Sequence, residues 1–271
     1  MKKLVLMLVM ILVAMVGRTQ SFEGVIHFNM TMNITDPKIK AQIEEARKKE
    51  NDPATQAKLK EMQAKLDDPK MKEMMQQNPQ IKAQMEQMMK AIIGSDPTAM
   101  MPKGVTLKFK GTSSVMSMEG GIMDKNEILR IGDKDLTYMV NNAAKTYMVM
   151  KNNNSNVPQK TPKITKTSET QKIAGYTCTK YIIEQSGFDG KPLNTNYWAT
   201  NEIKGIDLKA LAKQAGSQNQ TLIFTEIDGV PLKTEVLTPQ GTMVMECTEV
   251  KKESLPASTF ALPAGYSESK L

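Results

Sequence analysis

Apolar and polar residues alternate from Phe22 to Ile34, with Ile26, Phe28, Met30, Met32 and Ile34 on one side, which predicts a half-buried strand. The alternation stops at Asp36, and the chain to Met101 is polar with helical spacing. From Gly104 onward it returns. Val105, Leu107 and Phe109 alternate, and the segments Val115–Met118, Ile128–Ile131, Leu136–Val140 and Tyr147–Met150 follow, with Asn141-Asn142 as a turn. After a Lys/Asn/Pro-rich connection from Lys151 to Pro162, strands are expected at Thr177–Gln185 and Asn196–Thr200, with a short helix at Leu208–Gln214. Thr221–Ile227 and Leu232–Leu237 read as a hairpin about Asp228-Gly229, before a strand at Met243–Val250. The tail from Phe260 to Tyr266 is expected to dock its aromatic residues on the sheet. About ten antiparallel strands with one helical insertion describe an α+β protein, a curved antiparallel sheet or unclosed β-barrel.

Within the insertion, residues 36–101, an Asp or Asn precedes Pro five times, at Asp36-Pro37, Asp52-Pro53, Asp68-Pro69, Asn78-Pro79 and Asp96-Pro97. The acidic or amide side chain caps the free N–H groups of a helix start. Proline suits the first helical position, where its missing donor costs nothing. Five short helices follow from this. In the last long one Ile81, Met85, Met88, Met89, Ile92 and Ile93 form one apolar stripe, and Met71, Met74 and Met75 repeat the arrangement before it. Burying each such side chain is worth about 1.5–3 kcal/mol, so these faces need cover.

Met1 to Ser21 has the layout of a secretory signal: Lys2-Lys3, the apolar run Leu4 to Val16, then a small polar stretch. The run is shorter than the roughly 20 residues a bilayer span needs. Residues 22–271 are then one exported β domain with its Met-rich helical insertion, held in a periplasm or released. Of 36 basic residues, loss of Lys2, Lys3 and Arg18 leaves 33 against 29 acidic ones, and no dense basic run remains. Nucleic acid is excluded as a partner on that ground, and weak contact with a membrane surface is all the charge supports. In an oxidising compartment Cys178 and Cys247 would form a bridge worth roughly 4 kcal/mol, or stay as two buried thiols.

No nucleophile elbow, CxxC pair, HExxH helix or phosphate loop occurs, and His27, the one histidine, alternates within a strand as a rim residue. A non-enzymatic protein without a cofactor is therefore expected. The candidate ligand-facing residues are Met71, Met74, Met75, Ile81, Met85, Met88, Met89, Ile92 and Trp198. Methionine repacks readily against varied apolar partners, which suits a lipid, an acyl chain or an exposed hydrophobic protein segment. Three alternatives stand beside this: a helical lid that only packs on the sheet, Cu(I) held by thioether sulfurs, and a structural envelope protein with no ligand.

Lys172-Ile-Ala-Gly-Tyr-Thr-Cys-Thr-Lys-Tyr, Asn196-Tyr-Trp-Ala-Thr, Gly229-Val-Pro-Leu-Lys, Thr248-Glu-Val-Lys-Lys and Phe260-Ala-Leu-Pro-Ala-Gly-Tyr together resemble an exported bacterial family, domain of unknown function 4412. The resemblance implies a sheet like that of the periplasmic lipoprotein carriers LolA and LolB, an unclosed barrel with helices across its mouth. It brings no established activity. The run from Asp68-Pro-Lys-Met to Gln-Met85 resembles the Asp-Pro helical repeats of stress-inducible co-chaperones and ubiquilins. Those repeats form grooves for apolar segments.

Overall fold

The computed structural model describes residues 21–71, 98, 101–124, 126–150, 162–186, 192–215 and 226–269. Among them, strands β1 (Glu23–Ile34), β2 (Gly104–Lys110), β3 (Ser113–Glu119), β4 (Asn126–Ile131), β5 (Leu136–Asn141), β6 (Thr146–Val149), β7 (Lys163–Ile173), β8 (Tyr176–Ser186), β9 (Pro192–Thr200), β10 (Val230–Thr238), β11 (Gly241–Lys252) and β12 (Ser267–Glu268) form one sheet. Its order is β12-β6-β5-β4-β3-β2-β1-β11-β10-β9-β8-β7, antiparallel except where β12 runs parallel to β6. β1 is the seam. One meander leaves it through β2 to β6, and the other returns to its opposite edge through β7 to β11.

The sheet is open, ending at β12 and β7, but it is not flat. β7 touches β11, four places away in the order, whereas a flat sheet would hold them about 19 Å apart. Register breaks between His27 and Phe28 and between Pro231 and Lys233 contribute to that bending, since a bulge sharpens local twist. The curl gathers the main core: Ile26 and Phe28 of β1, Leu107 and Phe109 of β2, Cys178 of β8, Leu232 of β10 and Cys247 of β11. Helix α3 (Leu208–Ala215) joins this core through Leu211. Its Gln214, fully buried, donates from Nε2 to the Ile128 carbonyl and accepts from the Ser114 hydroxyl, so the helix is hydrogen-bonded to β3 and β4. A separate cluster on β3 to β5 (Val115, Leu129, Tyr138, Val140) is covered by Phe260 and Tyr266, the aromatic docking expected of the tail.

Helices α1 (Pro37–Asn51) and α2 (Pro53–Asp67) stand where the first two Asp-Pro pairs placed them. The Asp36 carboxylate accepts from the N–H groups of Lys38 and Ile39 at 2.8 and 3.2 Å, and Asp52 accepts from Thr55 at 2.9 Å. Asp68 accepts from Lys70 and Met71 in the same way. The starts at Asn78 and Asp96 lie outside the described residues.

Two expectations are corrected. Among the described residues the strands number twelve rather than about ten, because β7 and β12 escape the alternation rule. β7 is an edge strand with little to bury: only its last residue, Ile173, is fully covered, and Ile164 is half-buried. Its lysines and acids pair outward instead, as in Lys163–Glu184 and Glu169–Lys180. Of the hairpin expected about Asp228-Gly229, the described part shows no pairing: Glu226 and Ile227 are in no strand, and β9 and β11 hold the two edges of β10 along Lys233–Leu237. Asp228-Gly229 is instead a bend pressed on the end of β9. A Cβ on Gly229, at φ +117°, would lie 2.6 Å from the Thr200 carbonyl oxygen. Residues 221–225 lie outside the described residues.

Candidate functional site

β1 outruns β2. The β1–β2 ladder ends at Asn29 with one further bond, from the Met30 N–H to the Lys103 carbonyl, and from Thr31 on β1 pairs with β11. On this projecting ribbon Met30 faces Met245 and Met32 faces Met243 across the ladder. The ribbon closes tightly at its tip. Gly241, at φ +154°, lies so near β1 that a Cβ would meet the Asn33 carbonyl oxygen. The N–H groups of Thr35 and Asp36 both donate to the Gln240 carbonyl, which fixes the direction in which the chain leaves the strand. Asp36 is also the cap of α1, so the same corner sets the helix against the ribbon.

Between them lies a cavity of about 430 Å³. Met30, Met32, Ile34 and Met243 line the sheet side, and Met101 and Pro102 close another. α1 contributes Lys40, Ile43, Glu44 and Arg47, the i, i+3, i+4, i+7 set that one helix face presents. Ile43 is buried, while Lys40, Glu44 and Arg47 are exposed at the rim, joined there by exposed Lys103. The lining is thus mixed: thioethers and isoleucines from the ribbon, α1 and Met101, beside Thr31 and Thr98, with three cations and one carboxylate at the opening among the described residues. The volume falls within the ~300–1,000 Å³ range of small-molecule sites.

The sequence-predicted site residues are placed differently. Met74, Met75, Ile81, Met85, Met88, Met89 and Ile92 lie outside the described residues. Met71 is half-buried in the turn capped by Asp68 and does not line the cavity. Trp198 does not line it either. Its indole is 8% exposed in the main core, and the ammonium groups of Lys180 and Lys233, its direct cross-strand neighbours, stand 5.6 and 5.1 Å from the ring. Lys233 in turn bonds Glu235 and Glu246. Burial works against its charge, but the hydrogen bonds to Glu246 and Glu235 outweigh it and hold the ammonium pKa above its usual value. Trp198 is therefore a core residue under a charged cover.

Cys178 and Cys247 are two free, buried thiols in the structure rather than a bridge. Each donates to a backbone carbonyl two residues away, Tyr176 and Glu249. Burial, with the nearby Glu202 carboxylate and the other thiol, pushes Cys178 up to about 12. Burial pushes Cys247 up to about 11, with the Glu249 backbone working against it and the Glu246 and Glu249 carboxylates adding to it. Neither is a thiolate near neutral pH. His27 sits on the rim as expected, its Nδ1 3.0 Å from the Thr106 hydroxyl and its Nε2 3.9 Å from Glu249. Among the described residues no group of three or more His, Cys, Asp or Glu could hold a metal ion, and no helix is long and apolar enough to cross a membrane.

The lining residues on β1 and β11 were visible in the sequence only as strand alternation. The apolar positions of β1 run on through Met32 and Ile34, five residues beyond Asn29, where the ladder with β2 ends.

No curated protein matches the chain. Among solved structures, the crystal structure of LprF from Mycobacterium bovis aligns over 90% of this chain and 90% of that one, at 9% identity and a TM-score of 0.31. The family model described as "Domain of unknown function (DUF4412)" matches residues 95–266, from just before β2 to the end of the docked tail, and the chain belongs to that family.

Proposed function

We propose that the protein is an exported, non-enzymatic binder of an apolar ligand, held between the methionine-lined ribbon of β1 and β11 and the inner face of α1. The cavity of about 430 Å³ carries this reading, because four thioethers and two isoleucines surround a space that the described side chains leave unfilled. Unbranched methionine side chains adapt to varied aliphatic shapes at small cost. Each methylene they cover contributes about 0.8 kcal/mol to binding. Among the described lining residues Glu44 is the one carboxylate, and none is a histidine or cysteine, so they offer little acid–base or nucleophilic chemistry.

A second reading is supported by the same four thioethers, which are soft donors suited to Cu(I). The cations Lys40, Arg47 and Lys103 weigh against it, since they raise the energy of a monovalent cation beside them. Native mass spectrometry of protein purified from its own cell envelope tests the first reading. A bound lipid or acyl mass supports it, and a clean apo mass with no uptake of a fluorescent apolar dye defeats it. Anaerobic Cu(I) titration tests the second, where stoichiometric binding lost on changing Met30, Met32, Met101 and Met243 to Leu would establish metal.

A further inference from the structure

The rim of the cavity carries a pattern that an uncharged ligand does not require. Lys40 and Arg47 stand on the same face of α1, two turns apart, and Lys103 approaches from the segment that leads into β2. With Glu44 as the one carboxylate among the described lining residues, these side chains are net positive by two charges. Lys49, Lys65, Lys110, Lys163, Lys180, Lys233 and Lys251 each lie on a carboxylate within 3.2 Å, while other surface lysines, Lys108 and Lys252 among them, carry no ion pair to a described residue, so what sets the rim apart is its place on the cavity rather than the lack of partners. At this rim, among the described residues, no hydrogen bond or ion pair occupies the side chain of Lys40, Arg47 or Lys103. Three unpaired cations around the mouth of the cavity repel one another. An anion between them would relieve that repulsion.

We infer that the ligand is a single-chain amphiphile with an anionic head, its aliphatic chain against Met30, Met32 and Met243 and its carboxylate or phosphate between Lys40, Arg47 and Lys103. This rests on the apolar-ligand reading above and names the class of ligand. The exposed cations keep their hydration in the empty site and can each turn one end toward a head group, as long basic side chains do at apolar margins. Arg47 offers the planar fork that grips either anion with two parallel hydrogen bonds. Ile43, buried between Lys40 and Arg47 on the same helix face, marks where the aliphatic part begins. Burial of the chain drives affinity at about fourfold per methylene, while the head fixes which end enters.

Calorimetric titration of the full chain with dodecanoate, dodecyl phosphate and 1-dodecanol, each below its aggregation limit, separates the two contributions. The inference predicts that at least one anion binds about tenfold or more tighter than the alcohol, and that added salt narrows the difference. In the variant Lys40→Gln, Arg47→Gln, Lys103→Gln the preference disappears while dodecanol affinity persists, with an unchanged circular dichroism spectrum as the check on folding. The tighter anion of the two identifies the head as carboxylate or phosphate. Equal affinities in the native protein, or a preference that survives in the variant, overturns the anionic-head inference and leaves the apolar reading standing. Failure of all three to bind overturns both.

Discussion

Gln214 is a buried polar residue on which the seating of α3 depends, and its replacement by Leu has a calculable cost. Leucine nearly matches its length, so little volume changes. What is lost is the hydrogen bonding: Nε2 to the Ile128 carbonyl and Ser114 Oγ to Oε1, both at 2.5 Å, with a third, weak contact to the Ser114 carbonyl at 3.4 Å. Each short bond, once broken, leaves a buried partner unsatisfied at about 1–3 kcal/mol. Two such bonds give about 2–5 kcal/mol for Gln214→Leu after allowing for the added apolar burial. Adding Ser114→Ala removes one of the stranded groups, so the double variant should recover about 1–2 kcal/mol. Urea unfolding of the native protein, both single variants and the double variant reads these values directly. Native stability in Gln214→Leu, or a double variant no better than that single one, would refute the seating of α3 described here.

Other expectations follow from the same structure. The thiols of Cys178 and Cys247 are held neutral with pKa values of about 12 and about 11, against 9.0 for an ordinary thiol. The unfolded chain therefore releases these protons first, and the stability they confer is complete below pH 9 and lost as pH rises toward 11 and 12. Thermal melts of Cys178→Ala should show a shallower alkaline decline than the native protein. The Thr234 hydroxyl is 1% exposed and has no hydrogen-bond partner among the described residues, so Thr234→Val should raise stability by about 1 kcal/mol in the same unfolding assay. Asp36→Ala removes the cap of α1 at a cost of about 1 kcal/mol. It should speed amide exchange in α1 and weaken binding of an apolar dye, while exchange in β3 to β5 stays unchanged.

Much of the fold is legible in the residues. Ile26, Phe28, Met30, Met32 and Ile34 announce β1 by period-two spacing, and the Asp-Pro pairs at 36, 52 and 68 announce helix starts because one side chain and one missing N–H do the work locally. β7 was not legible, because an edge strand is fixed by its single neighbour and Lys163–Ile173 carries almost no buried face. At Asp228-Gly229 the described residues form a bend and not a paired turn. A good turn sequence says nothing of which strands already hold both edges of β10. The site was only half legible. The insertion was foreseen as a cover, but through Met71 to Ile93 rather than through α1, and the partner face depends on how far β1 projects past β2, which is a property of register and not of composition.

The central claim, an apolar ligand between the β1–β11 ribbon and α1, is tested most directly by filling the space. Titration of the native protein with a fluorescent apolar dye should give saturable binding to one site. The variant Met32→Trp, Met243→Trp should lose that site, whereas Leu237→Ala, an exposed residue of β10, should retain it. Dye binding that is unchanged by the two tryptophans, or no uptake by the native protein, would contradict the account.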